Sequence, residues 1–173
     1  IQMKLNSLLD EEFVEALYEA SQAGVKVEIV VRGICSLRPG IVGLSENITV
    51  RSILGRFLEH SRIYHFVSGG DDEFWIGSAD LMHRNLDRRV ESLVRIERPT
   101  HKAALQEIFD LSLSQETASW HQNQDSWKHV GENSKGEPLQ DLQSLAVIQH
   151  ELAHVWLGVL CEFCEHRGRW EAN

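Results

Sequence analysis

The sequence predicts an α/β domain in which helices flank a mixed sheet. Residues 1–5 alternate apolar and polar side chains, the pattern of a half-buried strand, and residues 25–31 form a nearly continuous β-branched run. Residues 11–24 and 99–114 instead carry apolar stripes at helical spacing. Strand and helix patterns alternate in this way from residue 1 to residue 114, which is typical of layered α/β proteins.

Each element has local signals. Asp10 is the expected N-cap of the first helix, Gly24 closes that helix, and Pro99 begins the later one. Glycines between residues 68 and 72 predict a hairpin turn between strands at 60–67 and 73–79. The remaining predictions are strands at 48–53 and 90–96, a helical turn at 54–59, loops at 34–47 and 80–89, a short strand or loop within 117–130, and a helix at 139–165.

These patterns predict two units. Residues 1–138 hold the α/β domain, and residues 139–173 form a helical tail whose apolar run starts near Leu145. No apolar stretch approaches the roughly 20 residues needed to span a bilayer. The three cysteines, Cys35, Cys161 and Cys164, are too few and too unevenly spaced for a disulfide framework. A cytoplasmic location is therefore expected, with association to a membrane left open.

Charge is unevenly distributed along the chain. The whole sequence carries a net charge of -9, yet residues 26–102 hold 12 of the 17 Lys and Arg against 10 of the 26 acids, or +2. Ten of those twelve are arginines, whose planar fork binds phosphate with two parallel hydrogen bonds. The segment favours a phosphate ligand, although a solvated surface of mixed charge has the same composition.

Candidate phosphate ligands lie near the predicted strand ends. Arg32 follows the strand at 25–31, where open α/β sheets place their ligands. In the predicted strand at 60–67, His60 and Arg62 lie on one face because successive side chains alternate. His65 falls on the opposite face and is expected to be structural. Ser78 and Asp80 follow the next strand and offer a hydroxyl and a carboxylate.

Several longer strings carry a family resemblance. Residues 60–62 (HSR), 77–80 (GSAD) and 84–91 (RNLDRRVE) resemble the phospholipase D superfamily, whose motif is histidine, any residue, lysine, with a downstream Gly-Ser pair. Residues 30–40 (VVRGICSLRPG), 43–48 (GLSENI), 57–64 (FLEHSRIY) and 76–91 (IGSADLMHRNLDRRVE) resemble the carboxyl-terminal catalytic domain of polyphosphate kinases. Arg62 replaces the diesterase lysine and Val67 its aspartate, so hydrolysis of a diester is disfavoured.

The resemblance implies a phospholipase D-like fold and reversible transfer of the terminal phosphate of ATP to polyphosphate. The transfer would pass through a phosphohistidine in the preceding domain, so this piece alone is expected to be inactive. Arg32 and His60 correspond to positions that contact ATP, and His60 is the expected catalytic histidine that faces the missing nucleophile. Arg62 is expected to bind phosphate as well, because an arginine suits the charge of the transferred group. Magnesium is expected in the full enzyme, bound by ligands outside this chain. The full enzyme is also expected to form a homo-oligomer and to have no nucleic-acid partner.

Supporting roles stay open at this stage. Ser78 and Asp80 either orient His60 or bind phosphate. Arg84, Arg88 and Arg89 either line a polyphosphate tunnel or form ion pairs with Asp87 and Glu91. Lys4, on the polar face of the first strand, is a weak phosphate candidate. Two other functions remain: a phospholipase D-like phosphodiesterase acting as a dimer of half-sites, and a non-catalytic module that binds polyphosphate.

A metal site is not predicted. Residues 150–154 (HELAH) match the zinc-protease pattern, but Leu157 and Leu160 stand where the extended pattern needs glycine and a third histidine. A structural zinc site would use His150, His154, Cys161 and Cys164. On one continuous helix, however, His154 and Cys161 are ~10 Å apart, too far for a single ion.

Overall fold

A computed structural model describes residues 1–55 and 58–142 of the chain. Within these ranges one sheet of eight strands runs through the molecule in the order β6-β5-β4-β1-β2-β3-β7-β8. The elements are β1 (Gln2–Leu5), α1 (Glu11–Gln22), β2 (Val27–Val31), β3 (Ile48–Ser52), β4 (Ile63–Ser68), β5 (Asp71–Gly77), α2 (His83–Arg88), β6 (Leu93–Ile96), α3 (Pro99–Leu113), β7 (Ser119–Asn123) and β8 (Ser126–Val130).

The sheet is mixed, as predicted. Strands β1, β2 and β3 are parallel, whereas β4 pairs antiparallel with β1, and β5 and β6 continue antiparallel. A two-residue turn joins β4 to β5, and both of its residues, Gly69 and Gly70, have positive φ values of 62° and 94°. This backbone matches the twist of the paired strands and favours glycine at both positions.

Helices cover the two faces of the sheet. Helix α1 begins after Asp10, whose side chain accepts from the Phe13 amide 3.1 Å away, and it packs on the inward side chains of β1, β2 and β3. Helix α3 lies on the opposite face, where Val30 contacts its end and Phe109 is fully buried against β4 and β5. Because strand side chains alternate, Val27, Ile29 and Val31 of β2 face α1, whereas Val30 faces α3. Apolar side chains on both sides of the strand explain its β-branched sequence.

Four local predictions were wrong. Residues 60–62 precede β4 in extended, non-strand chain, and residues 83–88 form a short helix instead of an irregular connector. In the predicted turn at 54–59, the described residues 54, 55, 58 and 59 are not helical. Gln140 bridges to Thr117, so the chain is extended where the tail helix was expected to begin. The rest of that predicted helix, with HELAH, Cys161 and Cys164, lies outside the described residues.

Two further observations concern the predicted location. Within residues 1–55 and 58–142, no helix could serve as a membrane span. Cys35 is a free thiol, and burial raises its pKa to about 11, so it stays protonated at neutral pH.

Candidate functional site

One edge of the sheet collects most of the predicted site residues. Arg32 follows β2, and Asn6 follows the neighbouring parallel strand β1. Strand β4 runs antiparallel to β1, so its first residues, preceded by Arg62, lie at this same edge. Strand β5 reverses again and brings Asp80 back to it. The topology therefore brings together side chains that are up to 74 positions apart in the sequence.

His60 lies at this edge in the segment 58–62, which leads into β4. Its side chain is exposed, and its ring makes no hydrogen bond with any described residue. The predicted pairing of His60 and Arg62 on one strand face is wrong, because neither residue lies in the strand. The Arg62 side chain instead turns back, and its Nη1 donates to the carbonyl oxygen of His60 at 3.0 Å. Arg62 thus braces the main chain that carries the histidine.

Asp80 holds Arg62 in that position. The Arg62 Nη2 lies 2.9 Å from Asp80 Oδ2, and the two side chains are only 17% and 8% exposed. The other carboxylate oxygen accepts from the main-chain amides of Asn6 at 2.7 Å and Ser7 at 3.2 Å. Burial acts to raise the pKa of Asp80, but Arg62 and these amides outweigh it and hold the pKa below its ordinary value. Asp80 therefore orients Arg62 and does not contact the ring of His60.

Lys4 is buried at this edge, a feature that the prediction did not include. The residue is 7% exposed, and its ammonium lies 2.5 Å from Glu59 Oε1 and 3.1 Å from Ser61 Oγ. Burial lowers the pKa of Lys4, and the Glu59 carboxylate partly offsets this. Lys4 is the buried partner of Glu59.

Arg32 differs from the other two cations of the site. Lys4 pairs with Glu59 and Arg62 pairs with Asp80, whereas Arg32 has no carboxylate partner among the described residues. Its Nη1 donates to the Glu59 carbonyl oxygen at 2.9 Å, and the side chain is half-buried. Since a guanidinium has five N–H donors, most of its donor capacity remains for an incoming anion.

Ser78 is engaged in a separate network. Its hydroxyl bonds to the Glu91 carboxylate and accepts from the Ser92 amide at 3.0 Å. The buried Asn85 of α2 donates to the other Glu91 oxygen at 2.6 Å. Hydrogen bonds from Ser78 and Asn85 lower the pKa of Glu91. Ser78 thus ties the end of β5 to the segment after α2 and does not contact His60.

The predicted arginine cluster is exposed. Arg84 and Arg88 lie on α2 and Arg89 follows it, all open to solvent. The predicted acid partners are engaged elsewhere, since Asp87 contacts His83 and Glu91 contacts Ser78 and Asn85.

The prediction overlooked two residues that organise the edge. The Asn6 main chain bonds to Asp80 and to the Gly33 amide, and its side-chain amide lies between the Glu59 carbonyl oxygen and Arg62 Nη2, 3.0 Å from each. Glu59 contacts Lys4 and Arg32. In the sequence, only the position of Asn6 at the end of β1 and that of Glu59 beside His60 could have indicated these roles, because the partners of both residues lie far away along the chain.

The described residues offer no evident cation site. Among residues 1–55 and 58–142, no three His, Cys, Asp or Glu side chains lie close enough together to hold a metal ion. Asp80 and Glu59, two carboxylates of this edge, are paired with Arg62 and Lys4.

Comparison with known proteins gives consistent matches. A family model described as polyphosphate kinase C-terminal domain 2 matches residues 1–141. Polyphosphate kinase from Streptomyces coelicolor is 54% identical over 148 residues, 85% of this chain and 20% of that protein. The Mycobacterium tuberculosis H37Rv polyphosphate kinase is 52% identical over 150 residues, 87% of this chain and 20% of that protein.

A solved structure agrees. The crystal structure of polyphosphate kinase from Porphyromonas gingivalis superimposes with a TM-score of 0.76 and 33% identity, covering 90% of this chain and 24% of that one. The predicted fold class, a phospholipase D-like mixed sheet with flanking helices, is confirmed for the described residues. The chain spans about a fifth of the length of the curated relatives that it matches.

Proposed function

This chain belongs to the polyphosphate kinase family, and from that premise we propose that its Arg32 edge forms one half of a phosphoryl-transfer site. The full enzyme would move the terminal phosphate of ATP reversibly onto polyphosphate. A histidine in the preceding domain would attack the γ-phosphorus as the bond to the β–γ bridging oxygen breaks and ADP leaves. The phosphoryl group would then pass from that histidine to a terminal oxygen of the polyphosphate chain.

The observation that carries the proposal is Arg32, which forms no ion pair with any described residue, at the same sheet edge as the exposed His60. A phosphoryl group in flight spreads negative charge over its equatorial oxygens, so catalysis depends on positioned cations. Arg32 is the cation of the edge without a carboxylate partner among the described residues, and its planar fork matches two phosphate oxygens. Arg62 and Lys4 have internal carboxylate partners, so we assign them supporting roles.

His60 has a different role in this proposal. An exposed imidazolium can donate a proton to the leaving oxygen or hold a phosphate group through its N–H donors. Its main chain is braced by Arg62, and the neighbouring Glu59 carbonyl is bonded to Arg32. These contacts hold the main chain on which the His60 ring is carried, while the ring itself stays accessible to a ligand.

The other roles follow from the exposure of each side chain. Arg84 and Arg88 are exposed on α2, where they would attract the polyphosphate chain electrostatically. Residues 1–138 would form the catalytic unit and residues 139–173 an appended tail. The full enzyme would be a cytoplasmic homo-oligomer, with magnesium bound by ligands outside this chain.

The test uses the complete protein and polyphosphate synthesis from labelled ATP. Arg32→Ala is expected to lower kcat/KM by about 10²–10³-fold, the typical effect of losing a charge-stabilising donor. Arg95→Ala is the matched control, because Arg95 is an exposed arginine paired with Glu73 at 3.1 Å, and it should change the rate less than twofold.

Three results would contradict the proposal. One is an Arg32→Ala enzyme with wild-type activity. Another is a protein that hydrolyses a model phosphodiester and makes no polyphosphate, which would select the diesterase. The third is tight polyphosphate binding without turnover, which would select a non-catalytic module.

A further inference from the structure

The strongest feature without an assigned role is the ion pair between Lys4 and Glu59, the residue that precedes His60. Lys4 lies on β1, a strand in the middle of the sheet, and its ammonium contacts Glu59 of the segment 58–62. It lies 2.5 Å from Glu59 Oε1 and 3.1 Å from Ser61 Oγ, and the Ser61 hydroxyl also bonds to the Glu59 carboxylate. These three side chains therefore hold the residues on both sides of His60.

Glu59 also connects the Lys4–Glu59 pair to Arg32, the second residue of the proposed phosphate site. While its carboxylate bonds to Lys4, its main-chain carbonyl accepts from Arg32 Nη1 at 2.9 Å and from the Asn6 side-chain amide at 3.0 Å. Moving Glu59 would consequently displace His60, the next residue, and remove a hydrogen bond from Arg32. One buried pair thus sets the positions of both groups that would touch phosphate.

The environment of Lys4 argues against direct contact with a phosphate. Its side chain is 8% exposed, whereas that of Glu59 is 25% exposed. Burial acts to raise the pKa of Glu59, but the Lys4 ammonium and the Ser61 hydroxyl outweigh it and lower the pKa below its ordinary range. The carboxylate is ionised at neutral pH, and its negative charge offsets that of the Lys4 ammonium.

We infer that Lys4 and Glu59 are positioning residues whose buried ion pair fixes the segment 58–62 and so places His60 and Arg32 for phosphoryl transfer. The inference rests on the proposed function for its catalytic consequence. Its structural part, that the pair holds the segment, does not depend on it. A misplacement of about 1 Å at a reacting group can cost a factor of about 10² in rate.

A double-mutant cycle in the complete enzyme tests the catalytic part. Lys4→Met leaves the partly buried Glu59 carboxylate without its counter-charge, so kcat should fall at least about tenfold while KM for ATP and for polyphosphate stays within about twofold. Adding Glu59→Gln removes the stranded charge, so the double variant should recover several-fold in kcat over Lys4→Met. Lys26→Met, at an exposed lysine paired with Glu28, is the control and should leave both constants unchanged.

The opposite pattern would overturn the inference. If Lys4 contacts phosphate, Lys4→Met raises KM for ATP or polyphosphate by the same factor whether residue 59 is Glu or Gln. Wild-type constants in Lys4→Met also overturn it. Should Lys4→Met fail to fold, the charge-free double variant and Glu59→Gln alone still report the effect, because replacing both members of a buried pair is often tolerated.

Crystal structures of the same variants separate this inference from the proposed function. In Lys4→Met we expect residues 58–62 to shift and the Glu59 carbonyl to leave the 2.9 Å contact with Arg32. An unmoved segment overturns the inference even if the enzyme makes polyphosphate. A shifted segment supports the structural part even if Arg32→Ala leaves synthesis unchanged and the proposed function fails.

Discussion

His60 and His65 lie five positions apart in the sequence, yet their environments are opposite. His60 is exposed, and its ring has no hydrogen-bond partner among the described residues. His65 is 6% exposed, its ring nitrogens lie 2.9 Å from Gln2 Oε1 and 2.9 Å from Asp72 Oδ1, and its ring stacks on Phe74 at 3.9 Å. A histidine whose contacts are complete stabilises the fold, whereas one held only through its main chain is open to a ligand.

Replacement of His60 should give the largest effect. In the complete enzyme, His60→Ala is expected to lower kcat by about 10²–10⁴-fold, the usual range for loss of a positioned acid or base. The melting temperature should change little, because the ring is exposed and has no hydrogen-bond partner among the described residues. Steady-state polyphosphate synthesis and calorimetry check the two parts. His129→Ala, at an exposed histidine of β8, is the control, and equal rates for the two variants would contradict the comparison.

Asp80→Asn should have the next largest effect, on stability. The change keeps the shape of the side chain but leaves the Arg62 guanidinium buried without its counter-charge, which costs about 3 to 5 kcal/mol. Chemical denaturation measures the free energy of unfolding. Glu73→Gln removes the exposed pair with Arg95 and should cost under about 1 kcal/mol. Equal losses in the two variants would mean that Asp80 is not a buried anchor.

The two paired carboxylates of the site, Asp80 and Glu59, predict that stability depends on pH. Asp80 and Glu59 have folded-state pKa values below their ordinary 3.8 and 4.5, so the unfolded chain binds protons more readily than the folded one. Their contribution to stability is therefore complete above about pH 4.5 and is lost as the pH falls through the lower folded values. Asp80→Asn should flatten the acid limb of a plot of stability against pH. An acid limb as steep as that of the wild type would contradict the assignment.

His65→Ala tests the other side of the comparison. It removes two ring hydrogen bonds and a stacked contact from the region under α3, at a cost of about 2 to 4 kcal/mol. At a temperature where the variant is folded, kcat should stay within a few-fold of wild type. Asp72→Asn is a milder partner variant, since Asp72 is 58% exposed. A large loss of kcat in stable, folded His65→Ala enzyme would assign this histidine to the reaction.

Gly33→Ala should have the smallest effect of the four substitutions. A Cβ at residue 33 would lie 2.9 Å from the Asn6 main-chain oxygen, which already accepts from the Gly33 amide at 2.8 Å. The end of β1 must shift to relieve this contact, at a cost of about 1 to 3 kcal/mol. Thermal unfolding measures the cost, and Ile34→Ala, at an exposed neighbour, is the control. Equal stability of the two variants would contradict the close approach.

Local sequence signals predicted the sheet but not the details of the site. The β-branched run of β2, the Asp10 cap and the Gly69–Gly70 turn depend on neighbouring residues, so their patterns are readable from the chain alone. The placement of His60 depends on Lys4, which is more than fifty positions away and acts through Glu59. Periodicity assigned residues 60–62 to a strand because it carries no information about such tertiary contacts.

The resemblance to polyphosphate kinases added what periodicity lacked, because it drew attention to Arg32 and His60. It did not show how Arg62 and Lys4 differ from Arg32. The contacts do so, because Lys4 pairs with Glu59 and Arg62 pairs with Asp80, while Arg32 has no carboxylate partner among the described residues.

The most direct test of the central claim is the transfer of labelled phosphate from ATP to the complete enzyme before polyphosphate is added. We predict an acid-labile, alkali-stable phosphohistidine that peptide mapping places outside residues 1–173. We also predict that His60→Ala slows its formation by about 10²-fold or more without lowering its final amount. Label on His60 itself, or an unchanged rate of labelling in His60→Ala, would contradict the claim that this domain supplies the second half of the site.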